Sequence, residues 1–413
     1  METNRHEYSA YITAIGTAVP QYAIPQMQIA GFMADAMAFD ERDRRRLNAL
    51  YRQTRIEKRH SVLPDYNRQN GDYSFYPNTP GLEPFPTVSQ RMQVYRQEAV
   101  PLAQRAIENC LAQQPDFDRQ TTTHLIVVSC TGLYAPGPDI ELIEVLGLPT
   151  TTQRIAINFM GCYGAFNGLK TADAIVRADP NSKVLVVCVE LCTLHFQKKT
   201  ETDHLLSNAL FADGAAAVLI ESEPQTGSSL QGPAFRLRSF YSDLFLEGKA
   251  EMAWHVSDFG FEMTLTSEVP RYIQQGIGEL LSRLLQKSGL TIGDIDHYAI
   301  HPGGRKILEV IEQQLGIDAT DDRFAYQVLR EFGNMSSATV LFVLKAIWDN
   351  LLADQKADQL IDSVAILQNS EHILSCAFGP GLTLESMILE VINRPAEPFI
   401  TSSARSTEAV PID

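Results

Sequence analysis

The sequence has few cysteines and tryptophans, a deficit of positive charge and no long hydrophobic run. Its 413 residues include six cysteines and two tryptophans, and 34 lysines and arginines stand against 50 aspartates and glutamates, for a net charge of −16. Because no CxxC pair is present, the cysteines argue against a disulfide framework and against a zinc site. The negative charge disfavours a general affinity for nucleic acid. We expect no metal, no nucleic-acid partner and at most one or two chemically active cysteines.

No segment reaches the ~20 apolar residues that a membrane-spanning helix needs. The densest apolar stretches, Val184 to Val189 and Thr339 to Trp348, are shorter than that. No signal peptide is recognisable at the start, since Glu2 and Glu7 interrupt it and no apolar core follows. The sequence therefore predicts a cytoplasmic protein with no membrane span.

Short apolar runs alternate with helical periodicity, which is typical of an α/β fold. The runs Leu125 to Cys130 and Val184 to Val189 are rich in β-branched residues, so we predict strands that are buried on both faces. A helix is predicted over Gly164 to Arg177, and a further strand over Ala215 to Ile220. The order strand, helix, strand is that of an α/β domain.

The second part of the chain resembles the first in its spacing. The separation from the strand end at Cys130 to the helix-opening Cys162 is nearly equal to the separation from His301 to Asn334. Two similar halves account for this, with a functional group at the start of a helix in each half. A coincidence of spacing in an α/β protein accounts for it equally well.

Turn-forming residues divide the chain. The stretch Ser222 to Pro233 is short of apolar residues and is the predicted boundary between residues 1–225 and residues 226–393. Residues 394–413 are rich in Ser, Thr and Pro and are predicted as a disordered tail. Residues 65–88 contain four prolines and several aromatic residues and are predicted as a long surface loop or lid.

One cysteine is placed for chemistry. Cys162 lies between Gly161 and Gly164, where an apolar segment meets the predicted start of a helix. A helix N-terminus and a neighbouring imidazolium both lower the pKa of a thiol, which favours the nucleophilic thiolate. The alternative is a buried structural cysteine.

A histidine and an asparagine occupy similar junctions. His301 ends a predicted strand before Pro302, and Asn334 opens the helix that follows Gly333. Taken singly, these are a hydrogen-bonded surface histidine and an N-cap asparagine. Taken with Cys162, they indicate a thiol nucleophile and two donors that stabilise an oxyanion or enolate.

These segments resemble the type III polyketide synthases, the chalcone and stilbene synthase family of the thiolase superfamily. Five motifs carry the resemblance in the family's order, within residues 10 to 393: GCYGA from Gly161, ALFADGAAA from Ala209, HPGG from His301, GNMSSA from Gly333 and FGPGLT from Phe378. Five motifs in register over nearly the whole chain make the resemblance specific.

The resemblance implies a thiolase-like, five-layered αβαβα fold built from two similar halves, and a homodimer. It implies iterative decarboxylative condensation of malonyl-CoA onto a starter acyl-CoA, with no cofactor and no acyl carrier protein. By position, Cys162 would carry the growing chain, while His301 and Asn334 would polarise the malonyl thioester carbonyl and His301 would keep Cys162 ionised. Phe211 would be the gatekeeper between the CoA tunnel and the cavity.

The resemblance also assigns cavity positions, and several depart from the plant pattern. Cys130 and His195 replace threonines, Ala135 replaces a methionine that reaches into the partner's pocket, Trp254 replaces a glycine and Met263 replaces a phenylalanine. Ser336 is kept, and Gly379 and Pro380 belong to the family's scaffold turn, whose first glycine is here Ala377. These departures resemble bacterial members of the family and make a flavonoid product doubtful.

The CoA phosphates require positive charge, and residues 42–59 carry eight basic residues. Arg45, Arg52, Arg55 and Arg59 fall at intervals that predict one helical face. Of the family's phosphate-binding positions, Arg46 matches one, whereas Ala49 and Gln53 stand at two others. The candidate CoA-binding residues are Arg46, Arg52, Arg55, Arg305 and Lys306.

Alternatives remain at this stage. A ketoacyl synthase III uses a similar Cys, His and Asn trio for a single condensation with acyl carrier protein, although the HPGG turn at His301 differs from its usual turn. A non-catalytic acyl-binding member and a cysteine hydrolase are further alternatives. For a type III polyketide synthase, two starters are possible. A linear fatty acyl starter would give an alkylpyrone or alkylresorcinol, whereas priming by malonyl-CoA would give a polyhydroxylated aromatic product.

Overall fold

The fold is taken from a computed structural model that describes residues 8–222, 232–359 and 370–392. The predicted domain boundary falls mostly on residues 223–231, and the predicted tail falls on residues 394–413, so both lie outside the described residues.

The described residues form thirteen strands, ten α-helices and seven short 3-10 helices. The strands are β1 (Ala10–Ala18), β2 (Tyr22–Pro25), β3 (Lys58–Ser61), β4 (His124–Ser129), β5 (Gln153–Asn158), β6 (Lys183–Leu191), β7 (Asp213–Ser222), β8 (Ala234–Leu244), β9 (Met252–Ser257), β10 (Gly260–Leu265), β11 (His297–Ile300), β12 (His372–Gly379) and β13 (Thr383–Ile392). The α-helices are α1 (Gln26–Ala36), α2 (Glu41–Gln53), α3 (Val88–Leu111), α4 (Pro138–Leu146), α5 (Gly164–Ala178), α6 (Thr202–Leu210), α7 (Val269–Ser288), α8 (Arg305–Leu315), α9 (Arg323–Phe332) and α10 (Thr339–Gln359). The 3-10 helices span Pro64–Asn67, Pro80–Leu82, Arg119–Thr121, Cys192–His195, Leu246–Gly248, Ile292–Asp294 and Ser336–Ala338.

The main sheet has two halves with matching strand pairings. Its order is β11-β12-β13-β8-β1-β7-β6-β4-β5, and β1 and β8 meet at the centre through two residue pairs. On one side of this junction β1 pairs antiparallel with β7, β7 antiparallel with β6, and β6 parallel with β4. On the other side β8, β13, β12 and β11 repeat these directions. The similar halves predicted from spacing are present, with β5 as an extra strand in the first half.

Helices cover the sheet in layers. Helix α3 packs on β1, β7 and β6, and helix α5 contacts the same strands. Helix α10 contacts strands of both halves, β1 and β7 in the first and β11 in the second, while α7 packs on β8 and β13 and against α8. This arrangement is the layered αβαβα architecture of the thiolase-like fold.

The predicted apolar strands are the buried centre of the first half. Strand β6 is buried at eight successive positions after Lys183, and β4 at five after His124. Parallel strands that are covered by helices on both faces require such continuous apolar runs. The predicted helix from Gly164 is α5, which ends one residue later than predicted.

One stretch of the described residues, Ser336–Gln355, is long and apolar enough to cross a membrane by length and composition alone. In the fold, 67% of that stretch is buried within the protein. It consists mainly of α10, whose contacts with both halves of the sheet require an apolar surface on several sides. The stretch is therefore a core helix of this fold.

The segment 65–88 is largely an exposed irregular loop, as predicted, with residues 67–72 all exposed, but several buried side chains anchor it to the protein. The rings of Tyr66 and Tyr76 are buried, and their hydroxyl oxygens lie 3.0 Å apart. The Tyr66 hydroxyl also donates to the Thr193 carbonyl at 2.6 Å. The carboxylate of Asp65 is fully buried and accepts from the N–H groups of Ser74, Phe75 and Tyr76 at 2.8 Å.

We expect Asp65→Ala to lower the free energy of unfolding by about 3 kcal/mol, because it leaves several N–H groups without acceptors. Asp65→Asn should lower it less, since the amide oxygen keeps part of these bonds. Urea denaturation measures both, and Asp72→Ala, an exposed carboxylate of the same segment, is the control. An Asp65→Ala protein within about 0.5 kcal/mol of the wild type would contradict this account.

Candidate active site

Cys162 lies in a tight connection between β5 and α5. Gly161 adopts a φ of +80°, and a Cβ atom there would lie 2.4 Å from Cδ of Pro380. Only glycine allows this approach, and the close contact holds the connection against the 379–381 turn. Cys162 is buried. It lies two residues before the first residue of α5, so it precedes the helix rather than lying in its first turn.

Asn334 joins the cysteine to the histidine segment. Its side-chain oxygen Oδ1 lies 4.0 Å from Sγ of Cys162 and accepts the Ser336 N–H at 2.9 Å. Its Nδ2 donates to the carbonyl of Gly303 at 3.2 Å, two residues after His301. An amide NH₂ has two hydrogens, so one remains for a substrate.

His301 follows the end of β11. Its N–H donates to the carbonyl of Cys376 at 2.8 Å, which extends the β11–β12 pairing by one residue. Its side chain is buried, and among the described residues neither ring nitrogen has a hydrogen-bond partner. A buried imidazole with two unpartnered nitrogens is available to a substrate.

Burial decides the protonation of these groups. It raises the pKa of Cys162 to about 12, although hydrogen bonds from Ser336 and Asn334 act in the opposite direction. It lowers the pKa of His301 to about 3. In the unliganded site desolvation acts against the thiolate that a helix N-terminus would favour, so the thiolate stays a prediction. A neutral thiol and a neutral imidazole are favoured.

A cavity of about 40 Å³ has four of the predicted cavity residues in its lining: His195, Phe211, Trp254 and Met263. Cys162, His301 and Asn334 are not among its lining residues. The lining reaches from the β9–β10 hairpin to Ile29 and Met33 on α1, and it includes polar as well as apolar side chains. Backbone pairing of Phe211 with Asn334 places the predicted gatekeeper next to the predicted catalytic amide.

Two cavity residues are fixed by polar contacts. His195 accepts the Phe261 N–H at Nδ1 (2.9 Å), and its Nε2 lies 2.7 Å from the carbonyl of Thr131, so both ring nitrogens are occupied. Burial lowers its pKa to about 3. Trp254 donates from Nε1 to the carbonyl of Cys130 at 2.6 Å. Both rings are therefore rigid walls.

The other predicted cavity residues lie closer to Cys162 or at the surface. The Cys130 sulfur accepts the Gly161 N–H at 2.9 Å, next to Cys162. A Cβ atom at Gly379 would lie 2.5 Å from the ring of Tyr163, so Gly379 and Pro380 pack on the two neighbours of Cys162. Ala135, in contrast, is exposed in this chain.

Sequence analysis missed a buried carboxyl group beside the site. Glu190 is fully buried in β6 and accepts from Cys130 N and Thr131 Oγ1, both at 2.9 Å, and from the hydroxyl of Ser337. Desolvation raises its pKa to about 7. An acidic residue in a strand that is otherwise apolar was the available signal.

The predicted basic helical face is wrong beyond Arg52. Helix α2 ends at Gln53, and Arg55 has a φ of +60°, outside the helix. Arg59 belongs to β3 and is 2% exposed, whereas the prediction placed it on the same helical face as Arg45, Arg52 and Arg55. The helix ends here because the Thr54 hydroxyl binds the carbonyl of Tyr51 at 2.6 Å and accepts the Ile56 N–H.

The remaining CoA candidates occupy two surface sites. Arg46 and Arg52 lie on α2, and Arg46 is 3.4 Å from Asp43. Arg305 and Lys306 open α8, and both bind the carboxylate of Glu309, at 2.9 and 3.3 Å. Exposed pairs of this kind contribute little to stability and exchange readily for a ligand phosphate.

Comparison with known families decides the assignment. Residues 1–224 match the model of the N-terminal domain of chalcone and stilbene synthases, and residues 237–393 match that of their C-terminal domain. The chain belongs to the chalcone and stilbene synthase family.

Relatives of this family member are type III polyketide synthases. It is 32% identical over 385 residues to the alpha-pyrone synthesis polyketide synthase-like Pks18 of Mycobacterium tuberculosis, covering 93% of this chain and 92% of that one. It is 30% identical to type III polyketide synthase A of Arabidopsis thaliana, covering 92% of both chains. The crystal structure of PKS-I from the brown alga Ectocarpus siliculosus matches with a TM-score of 0.83 and 27% identity, over 94% of this chain and 100% of that one.

Family membership gives the class of reaction. The chain is a type III polyketide synthase, a carbon–carbon bond-forming acyltransferase that acts on acyl-CoA substrates. This assignment takes precedence over the ketoacyl synthase III alternative, because both family models match and together span most of the chain.

Proposed function

We propose that this synthase primes Cys162 with a linear acyl-CoA, extends it with malonyl-CoA and releases an α-pyrone. The observation that supports the catalytic roles is the convergence of Cys162, Asn334 and the His301 segment through the contacts of the Asn334 amide. The proposal requires no metal and no cofactor beyond the CoA thioesters.

Priming uses Cys162 and His301. The neutral imidazole of His301 takes the proton of the Cys162 thiol, and the thiolate attacks the starter thioester carbonyl. The bond between that carbonyl and the CoA sulfur breaks, and the proton returns to the departing CoA thiolate. Both ring nitrogens of His301 lack a hydrogen-bond partner among the described residues, so one of them is free to accept this proton.

Extension uses His301 and Asn334. Their N–H groups donate to the thioester carbonyl of malonyl-CoA, so that loss of CO₂ leaves its electron pair in a stabilised enolate. The enolate carbon attacks the Cys162 thioester, a carbon–carbon bond forms, and Cys162 is released as a thiolate. Attack of an enol oxygen on the final thioester carbonyl closes the pyrone ring, while the bond from that carbonyl to sulfur breaks and the departing thiolate takes up the enol proton.

The apolar part of the cavity lining supports a linear starter. It extends from Trp254 and Met263 past Phe211 to Ile29 and Met33 on α1. The relative Pks18 is named for alpha-pyrone synthesis, which supports the same product class here. The small volume of about 40 Å³ favours a second candidate, priming by malonyl-CoA with an aromatic product.

We place CoA binding at the basic residues of α2 and at the start of α8. Arg46, Arg52, Arg55, Arg305 and Lys306 would hold the phosphates and the nucleotide outside the cavity, and guanidinium groups suit phosphates because they donate two parallel hydrogen bonds. Phe211 would separate this entrance from the cavity.

We also propose a cytoplasmic homodimer. Strand β5 is the edge of the sheet and has exposed side chains, and Leu133, Ile140 and Val145 nearby in sequence are each more than 40% exposed. An open edge beside exposed apolar residues favours pairing with a second copy. Ala135 lies in the same region, and sedimentation equilibrium tests the dimer.

A mass-spectrometric product profile tests the starter. Purified enzyme with malonyl-CoA alone, or with short, long or aromatic acyl-CoA, should give pyrones with the linear acyl starters. Ala135→Met should reduce the turnover of long acyl-CoA relative to short acyl-CoA, because it fills space at the proposed dimer contact. Unchanged chain-length preference would contradict the linear-starter account, and aromatic products from malonyl-CoA alone would support the second candidate.

A further inference from the structure

The C-terminal end of α6 is next to both Phe211 and Asn334. The last carbonyl groups of a helix have no partner within the helix and must find one elsewhere. The Leu210 carbonyl accepts the backbone N–H of Asn334 at 2.9 Å, and the N–H of Ala212 donates to the Asn334 carbonyl at 2.8 Å. The position of Asn334 therefore depends on the position of this helix end.

Arg59 and Gln26 bind the carbonyls on either side of Leu210. Arg59 donates from Nη1 to the carbonyls of Asn208 and Phe211, at 2.8 and 2.5 Å. Gln26 donates from Nε2 to the carbonyl of Ala209 at 2.7 Å. Arg59 Nε in turn donates to Gln26 Oε1 at 2.8 Å, so the two side chains form one unit, the Arg59–Gln26 clamp.

The clamp also contacts the residue before the catalytic amide. Gly333 has a φ of +73°, and a Cβ atom there would lie 2.9 Å from Cγ of Arg59. The stem of Arg59 thus packs directly on the Gly333 backbone, while its head holds the helix end that binds Asn334. Two independent contacts therefore link Arg59 to the backbone at Asn334.

The charge of Arg59 is buried, and the carboxyl group of Asp213 acts on it electrostatically without a direct salt bridge among the described residues. The residue is 2% exposed, and within the described ranges no carboxylate oxygen forms an ion pair with it. Carbonyl oxygens and the negative end of the α6 dipole offset part of the desolvation cost. A buried cation is no more stabilising than an apolar side chain of equal volume, so its contribution here lies in the geometry that it fixes.

We propose that Arg59 is a positioning residue for decarboxylation, holding Asn334 and Phe211 in place through the end of α6. This inference rests on the roles proposed above for Asn334 and His301. Cys162 is held separately, by Gly161, Pro380 and Cys130. The clamp should therefore affect the decarboxylation of malonyl-CoA and not the acylation of Cys162.

Two rates separate these steps: the decarboxylation of malonyl-CoA without starter, and the acylation of Cys162 by a starter acyl-CoA, followed by intact-protein mass. We expect Arg59→Met to lower the decarboxylation kcat about 100-fold, the effect of a misplacement of about 1 Å, with KM for malonyl-CoA little changed. Arg59→Lys, which keeps the charge, and Gln26→Met, which keeps Arg59, should each lower it about 10-fold. The acylation rate should stay within about threefold of the wild type in all three.

Arg91→Met is the matched control. Arg91 is also fully buried and donates to backbone carbonyls, those of Pro86 and Leu194, but it contacts the ring of Phe85 rather than α6. Its replacement should lower stability while leaving the ratio of the two rates unchanged. If Arg59→Met does not fold, Arg59→Lys and Gln26→Met carry the test.

Each outcome decides the inference. A selective loss of decarboxylation in the clamp variants supports it. Equal loss of both rates, or a loss that Arg91→Met reproduces, would assign Arg59 a merely structural role. The variant Asn334→Ala separates a failure of the proposed role of Asn334 from a failure of the inference about Arg59. If Asn334→Ala leaves decarboxylation intact, the proposed role of Asn334 is wrong and the inference about Arg59 is wrong with it. If Asn334→Ala abolishes decarboxylation while the clamp variants keep it, only this inference fails.

Discussion

Replacing Cys162 by alanine is expected to reduce polyketide formation by at least about 10⁴-fold, the usual effect of removing a nucleophile that carries the covalent intermediate. Acylation of the protein by starter acyl-CoA should disappear. Decarboxylation of malonyl-CoA should continue, because the proposed mechanism assigns it to His301 and Asn334. Product analysis and intact-protein mass measure these effects.

Cys110→Ala is the matched control for this variant. Cys110 is equally buried but lies on α3, against the backbone of Gly16. Its replacement should leave acyl loading and product formation in place. Continued acyl loading of the Cys162→Ala protein would mean that another group carries the chain, with Cys130 the first to examine because its sulfur binds the Gly161 N–H.

Replacing His301 by glutamine is expected to make Cys162 nearly unreactive at neutral pH. Burial is the largest cause that raises the pKa of the Cys162 thiol to about 12, so at neutral pH the neutral thiol predominates unless a base takes its proton. Without a base to take the proton, fewer than about one in 10⁴ molecules would hold the thiolate at pH 7.5. Alkylation by iodoacetamide should be at least about 100-fold slower than in the wild type and should accelerate as the pH rises towards 12.

The pH profile of alkylation distinguishes this account from a helix-stabilised thiolate. The wild type should react at neutral pH, because proton transfer to His301 creates a thiolate and an imidazolium that stabilise each other. His372→Gln, which changes a largely buried histidine on β12, should react like the wild type. Identical profiles for His301→Gln and the wild type would show that the protein ionises Cys162 without this imidazole.

In the proposed mechanism Cys162 carries the acyl chain as a neutral thioester when malonyl-CoA enters, so no thiolate charge opposes the malonyl carboxylate. Desolvation then favours loss of CO₂, because a carboxylate in an apolar cavity lacks the water that stabilises it.

The hydrogen bond between Trp254 and the Cys130 carbonyl connects two residues that depart from the plant pattern. Trp254 forms one wall of the cavity and is held by its hydrogen bond to the Cys130 carbonyl. The Cys130 sulfur supports Gly161 from the other side. Cys130 and Trp254 therefore belong to one arrangement that connects a wall of the cavity to the backbone beside Cys162.

The sequence by itself determined the family, the α/β class, the buried strands β4 and β6, the helix α5 and the candidate trio. Runs of β-branched residues report burial directly, and the motifs around Cys162, His301 and Asn334 are contiguous, so a linear reading finds them. The two similar halves were also detectable in the sequence, because connections of nearly equal length join their equivalent strands and helices.

Only the tertiary structure decided the surroundings of those residues. Glu190 and Arg59 are charged, and a linear reading places charges at the surface, whereas the fold buries both beside the site. The packing of residues 65–88 depends on Asp65, whose hydrogen-bond partners lie up to eleven residues away in the chain. The protonation of Cys162 depends on burial, which arises from segments far apart in sequence and therefore outweighs the local effect of a helix N-terminus.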